Sequence, residues 1–260
     1  MRTFAIYNRK GGVGKTTTAA AMAVRLATTY KQRVLFLDAD SQGDATSLML
    51  DNWAGMCGVA EILLGEIRDN YRAAIHHTHT EGLDIIPATE ALADYELEVT
   101  LGRRRGAFHA LQTMVECLAG EDLYDVFIID CPPYYSVSCL SALAACNKVI
   151  IPADLSGFSV DGMYGLVKQI ENIRSTRPDM QVAGVLLTQW HNCRIAETSE
   201  ETMRELEMVP VFETKIRRTD KAIESSWAGE PLGKWSPRCS ASKDYDKWVA
   251  ELIEKEGWAI

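Results

Sequence analysis

Lys10-Gly11-Gly12-Val13-Gly14-Lys15-Thr16-Thr17 stands between an apolar, β-rich run, Thr3 to Tyr7, and an alanine-rich helical run that begins at Thr16. A strand, a glycine turn and a helix in that order make a phosphate cradle. Glycines let the backbone curl so that successive N–H groups face one anion, and the helix that follows adds its positive N-terminal dipole to the same point. In this reading Gly11, Gly12, Val13 and Gly14 line the cradle, Lys15 reaches the β and γ phosphates, and the Thr16 hydroxyl holds a magnesium ion. Against the general pattern G-x-x-x-x-G-K-[ST], Arg9 stands where the first glycine belongs, and a second lysine, Lys10, sits at the turn's entrance. One subunit's own triphosphate does not obviously require both lysines.

The rest of the chain repeats strand and helix. Val34 to Leu37 is a second strand that ends in Asp38-Ala39-Asp40-Ser41-Gln42-Gly43-Asp44, and Tyr124 to Ile129 a third that ends in Asp130-Cys131-Pro132-Pro133. Acidic residues at the carboxyl ends of parallel strands face the crevice where open α/β sheets bind ligands, and an acidic residue placed like Asp130 holds the magnesium shell in P-loop enzymes. Further strands are expected at Leu83–Ile86, Val149–Pro152 and Val182–Leu187. Helices are expected at Thr16–Tyr30, Gly58–Gly65, Ala88–Leu101, Gly106–Leu118, Ser159–Ser175, near Glu197–Glu207 and from about Ser240. Right-handed crossovers then give an α/β fold with a doubly wound, mostly parallel sheet. With no composition break or internal repeat, one domain over 1–260 is expected.

Composition narrows the function. The 260 residues carry 27 basic and 36 acidic side chains, a net charge of −9, which argues against a generally basic nucleic-acid binder. Seven scattered cysteines without a C-x-x-C pair read as free thiols. No stretch has the length of a membrane span, and the N-terminus enters a strand with no signal-peptide pattern, so a cytoplasmic protein is expected. Residues 50–120 read as surface helices around one strand, with His76, His77 and His79 in a solvated loop and Arg103-Arg104-Arg105 in a turn at a helix start. From 214 to 247 the chain has 8 basic and 5 acidic residues, locally +3. Arg217, Arg218, Lys221, Lys243 and Lys247 in this window are candidates for contact with DNA phosphates, and a mixed-charge surface with no partner is the alternative.

The three acidic and glycine-rich elements together resemble the ParA/Soj branch of the ParA–MinD family of deviant P-loop ATPases, in the short form without an N-terminal DNA-binding domain. The likeness continues through Ala144 to Pro152, Gly184 to Thr188 and Thr214-Lys215-Ile216-Arg217-Arg218-Thr219, which is similar to that family's T-x-I-P-R-N segment. The resemblance implies an ATP- and Mg2+-dependent ATPase that forms a homodimer around ATP, binds DNA non-specifically in that state on the nucleoid, and is reset by slow hydrolysis that a ParB-like partner stimulates. It implies that Lys10 reaches the partner's nucleotide and that Lys15 and Thr16 bind phosphate and metal. Thr17 would contact the α-phosphate, Asp40 would position the attacking water within the metal's surroundings, Asp38 would lie near the metal, and Asp130 would complete the magnesium shell. The chain departs from the pattern at Ser41, where proline is common, at Asp44, and at Arg217 and Thr219. Other members suggest alternatives: a MinD-like membrane-positioning ATPase, disfavoured by the acidic last helix, a cargo-positioning relative, or an iron–sulfur carrier, for which Cys131 lacks a second ligand.

Overall fold

The computed structural model describes every residue except 69, 155–164, 166–167, 169–170, 173–174, 176–177, 206, 208 and 259–260. The helix expected over Ser159–Ser175 falls largely outside the described residues.

Seven strands form one sheet: β1 (Arg2–Ile6), β2 (Val34–Asp38), β3 (His76–His77), β4 (Leu83–Ile86), β5 (Val126–Asp130), β6 (Lys148–Ala153) and β7 (Gln181–Leu187), in the order β3-β4-β2-β5-β1-β6-β7. All pairs are parallel except β3 with β4. Helices are α1 (Lys15–Thr28), α2 (Asp44–Met49), α3 (Val59–Leu64), α4 (Glu90–Thr100), α5 (Ala110–Gly120), α6 (Val137–Ala145), α7 (Arg194–Glu205), α8 (Lys221–Ala228), α9 (Leu232–Trp235) and α10 (Ser240–Lys255).

Alternation along each strand divides the core into two layers. Ala5, Leu35, Leu37, Phe127 and Ile129 point to the side covered by α3 to α6, whereas Phe4, Ile6, Phe36 and Ile128 point to the side covered by α1 and α10. Small residues on α1, among them Ala19, Ala20 and Ala23, let that helix lie close to the sheet, and the buried Thr18 hydroxyl meets the Tyr245 hydroxyl of α10 at 3.0 Å. The tail is therefore part of the core. Trp248 is fully buried and packs edge-on against Phe212, 5.8 Å away, and Gly184 is a glycine because a Cβ there would come within 2.7 Å of the Phe212 ring.

Three local expectations change. His76 and His77 form an edge strand instead of a loop, pinned by His77 Nδ1 to Asp84 Oδ1 at 2.7 Å and His76 Nε2 to the Cys57 carbonyl at 2.8 Å, so 50–120 contains two strands. Two residues of strand are too short for a periodic pattern to register. Arg103 to Arg105 follow the end of α4 and lie well before α5, which starts at Ala110 and not near Gly106. The helices α2 and α6 follow directly on the loops after β2 and β5, where the loop chemistry masked the short helical runs.

Truncating Trp248 to alanine should cost about 3–5 kcal/mol, the usual range for a buried aromatic. Urea unfolding measures it, and a loss near zero would show that the tail helix does not share the core's cooperativity.

Candidate nucleotide site

The parallel strands end along one edge, and a cleft of about 700 Å3 opens there, running from Gly11 and Lys15 past Asp40 and Tyr134 to Arg218 and Tyr245. The glycine loop forms one wall. Gly12 and Gly14 have φ of 72° and 81°, in the left-handed region that side chains disfavour, so the turn needs glycine at both positions. Gly14 caps α1 without any side-chain acceptor, which leaves the helix's first N–H groups available to an anion. Gly11, Thr16 and Thr17 line the same cleft, and Val13 is buried behind it.

Distant residues hold this loop in shape. Asn8 donates its side-chain amide to the Pro152 carbonyl at 2.8 Å and accepts from the Lys10 backbone N–H at 2.9 Å. Beyond β7, the Thr188 hydroxyl donates to the Val13 carbonyl at 2.8 Å and the Gln189 amide donates to the Gly12 carbonyl. With their carbonyls occupied from behind, the loop's amides are free to turn inward. Sequence reading passed over Thr188 and Gln189, although a polar pair at the end of a parallel strand is the signal that identified Asp38 and Asp130.

The two lysines have different surroundings. Lys15 is 7% exposed, and its ammonium donates to the Lys10 carbonyl at 3.2 Å. Burial lowers its pKa, while the charges of Asp130 and Asp40 pull it back up. Lys10 has a side chain 45% exposed, lies 3.9 Å from the Asp154 carboxylate and is absent from the cleft's lining.

Opposite the loop, Asp38 and Asp130 are register partners at the ends of β2 and β5, and both are buried. Asp38 accepts from the Thr46 N–H and hydroxyl, each at 2.8 Å, and from the Asp40 N–H at 3.1 Å; burial nevertheless pushes its pKa up to about 7. Asp130 is held differently. Neither of its oxygens has a partner in hydrogen-bond geometry among the described residues, although the Thr16 hydroxyl and the Lys15 charge act to lower its pKa. Burial, and next the neighbouring Asp38 charge, raise that pKa well above the ordinary carboxylate range. Two orphaned, buried carboxylate oxygens beside a threonine hydroxyl fit a hard cation, which prefers oxygen ligands. Asp40 is half-buried at the mouth, its carboxylate accepting from the Gln42 N–H at 3.1 Å, and its pKa is raised by burial. Cys131 is turned away: it is buried, and contact with Cys139 together with burial pushes its thiol well up.

The structure separates the basic candidates of the tail. Arg217 forms a two-pronged pair with the buried Asp244, at 2.8 and 2.7 Å, and Lys221 pairs with Glu224 at 2.7 Å. Arg218 is exposed on the cleft's rim, and Lys243 and Lys247 are exposed on α10. No helix among the described residues is long and apolar enough to cross a membrane.

Residues 1–182 match an AAA-domain family model. The chromosome partitioning protein ParA of Caulobacter vibrioides is 32% identical over 98% of this chain and 95% of its own length. The chromosome-partitioning ATPase Soj of Thermus thermophilus is 32% identical over 98% of this chain and 96% of its own. Among solved structures, cobyrinic acid a,c-diamide synthase from Mycobacterium smegmatis, with bound ATP analogue and magnesium, superposes with a TM-score of 0.79 at 30% identity, covering 100% of this chain and 98% of that one. The septum site-determining protein MinD from Pyrococcus horikoshii, complexed with Mg-ADP, gives 0.80 at 20% identity, covering 100% and 99%, a likeness of fold alone. The family model and the end-to-end relatives agree with the loop, the paired carboxylates and the sheet order: the chain belongs to the ParA–MinD family of P-loop ATPases.

Proposed function

We propose that this chain is an ATP-dependent partition ATPase, a single ParA-like domain over 1–260, whose homodimer closes around ATP, binds DNA non-specifically and is reset by hydrolysis that a ParB-like protein stimulates. The protein would work in the cytoplasm, associated with the nucleoid while ATP is bound. The observation that carries the reading is the split between the lysines: Lys15 is buried among carboxylates in its own cleft, and Lys10 stands outside it on the rim.

The reaction is phosphoryl transfer to water, in which positioning and charge neutralisation supply the catalysis. Gly11 to Gly14 and the start of α1 hold the phosphates through backbone N–H groups, Lys15 neutralises the transferring end, and Thr17 contacts the α-phosphate. Thr16, Asp130 and Asp40 would hold magnesium, with Asp38 behind them; when bound, that ion supplies positive charge that offsets the phosphate oxygens. Asp40, at the mouth of the cleft, orients the attacking water. Lys10 completes the partner's site, so ATP joins two subunits and its loss releases them. Arg218, Lys243 and Lys247 carry exposed positive charge for DNA phosphates, with Arg217 and Lys221 nearby.

Sizing the protein without nucleotide, with ADP and with ATP, in the presence and absence of non-specific DNA at fixed salt, tests the whole reading. ATP alone should double the mass, and Lys10→Ala should abolish that doubling while retaining nucleotide binding; a Lys10→Ala dimer in ATP would sink the role of Lys10 across the interface. At constant ionic strength Arg218→Glu should weaken DNA binding at least about fivefold while leaving turnover near wild type, since one phosphate contact contributes a large salt-sensitive share of affinity. Unchanged affinity would move the DNA surface elsewhere.

Asp130 also predicts a pH effect. Its folded pKa lies above the ordinary value of 3.8, so the native state holds its proton more tightly than the unfolded chain does. Stability in the absence of nucleotide and magnesium should therefore fall as pH rises from about 4 toward the folded pKa. Asp130→Asn removes that penalty: its melting temperature should exceed wild type at pH 8 and converge with it near pH 4, while the stabilisation that Mg-ATP confers is lost. A lower melting temperature at pH 8 would refute the unrelieved burial of that charge.

A further inference from the structure

Asp40 is bracketed on both sides by contacts from the end of β5 and the segment that follows it. On its N-terminal side the Ala39 N–H donates to the Asp130 carbonyl at 2.9 Å, and the Ala39 carbonyl accepts from the buried Ser138 hydroxyl at 2.8 Å. On its C-terminal side the Ser41 hydroxyl shares a hydrogen bond with the Tyr134 hydroxyl at 3.2 Å. The inner contacts are buried. The outer one lies at the mouth of the cleft, which Tyr134 lines.

The loop that carries Tyr134 is itself fastened to the phosphate loop's entrance. Arg9 lies with its guanidinium carbon 5.3 Å from the centre of the Tyr135 ring, and the Tyr135 ring packs 6.0 Å from that of Tyr7, the last residue before Asn8 and Arg9. Tyr134 and Tyr135 thus connect three segments: the start of the glycine loop, the Asp40 turn and the loop after Asp130. Within its own turn Asp40 is held by short-range bonds: its N–H donates to Asp38 Oδ1 at 3.1 Å, its carboxylate accepts from the Gln42 N–H and its carbonyl accepts from the Gly43 N–H at 2.9 Å. Those bonds shape the turn without fixing where it stands relative to the phosphates.

We propose that Tyr134 and Ser41 are a positioning pair that sets Asp40 against the phosphate cleft. In the proposed mechanism neither contacts the reacting atoms. The hydroxyl–hydroxyl bond holds the outer side of the Asp40 turn against a loop already anchored, through Tyr135 and Arg9, to the cradle in which the phosphate lies. Proline at position 41 could not make this bond, whereas the Ser41 hydroxyl does. The inference rests on the ATPase reading above, and the experiment separates the two.

Steady-state ATP hydrolysis by the full chain with magnesium should be measured for the wild type, Ser41→Ala, Tyr134→Phe, the double variant and Ser41→Thr. Loss of one hydrogen bond that orients a reacting group should lower kcat about 3- to 10-fold in each single variant, with KM changed by less than about twofold. Because both substitutions remove the same bond, the double variant should be no slower than the slower single one, and Ser41→Thr, which keeps a hydroxyl, should restore most of the rate. Melting temperatures close to wild type should accompany these losses, since the bond is partly exposed. Wild-type hydrolysis with unaffected single variants, or losses that multiply in the double variant, would overturn the pair's role and leave the ATPase reading standing. A wild-type chain that binds ATP but does not hydrolyse it would overturn that reading and the inference with it.

Discussion

Two carboxylates ending adjacent strands, side by side and out of water, are the constraint around which the site is arranged. Asp38 and Asp130 are register partners on β2 and β5, burial raises the pKa of both, and the Asp38 charge raises that of Asp130 further. A fold has no packing reason to place like charges there, since unpaired buried charge is costly. The arrangement is sustained by what surrounds it: Thr46 and the Asp40 amide donate to Asp38, Lys15 lies within electrostatic reach of Asp130, and the cleft opens directly in front. Among the described residues Asp130 has no hydrogen-bond partner, and an unsatisfied buried acceptor facing a cleft suits a group whose partner arrives with a ligand.

The parallel sheet is what brings these pieces together. Every parallel strand delivers its carboxyl end to the same edge, so the glycine loop after β1, the Asp40 turn after β2, the Tyr134 loop after β5 and Thr188 after β7 converge although they are far apart in the chain. The same topology explains the role of the tail. Phe212 and Trp248 pack beneath the sheet while Ile216 donates its N–H to the Leu187 carbonyl, so the segment bearing Arg217 and Arg218 is carried to the cleft's rim as an extension of the strand layer.

That convergence also marks how far the sequence could be read. The glycine loop and the strand-terminal aspartates are local patterns that fall where they were expected, and the alternation of strand and helix is followed in outline. Contacts between distant segments leave no such trace: the Thr188 bond to Val13 joins residues 175 apart, and Ser41 and Tyr134 are 93 apart. The two-residue strand His76–His77 is too short to show a period, and its ion pair with Asp84 depends on a neighbour that only folding supplies. Counting charge in a window, for a related reason, does not show how that charge is distributed. The stretch from 214 to 247 is formally +3 with Glu224 and Asp244 already counted, and the fold sets these two carboxylates against Lys221 and Arg217, so its positive charge is left on other side chains.

Lys10 and Lys15 show why position within one loop matters more than residue type. An ammonium that neutralises its own subunit's phosphates gains most where water is excluded and carboxylates hold it charged, which describes Lys15. An ammonium that must meet a second molecule has to remain exposed until that molecule arrives, because burying it earlier would cost desolvation with nothing to offset it. In the proposed dimer Lys10 is such a group: its side chain is 45% exposed. Its backbone carbonyl is meanwhile the acceptor for Lys15. A shift of Lys10 would therefore be felt at the Lys15 ammonium, the group proposed to neutralise the phosphates.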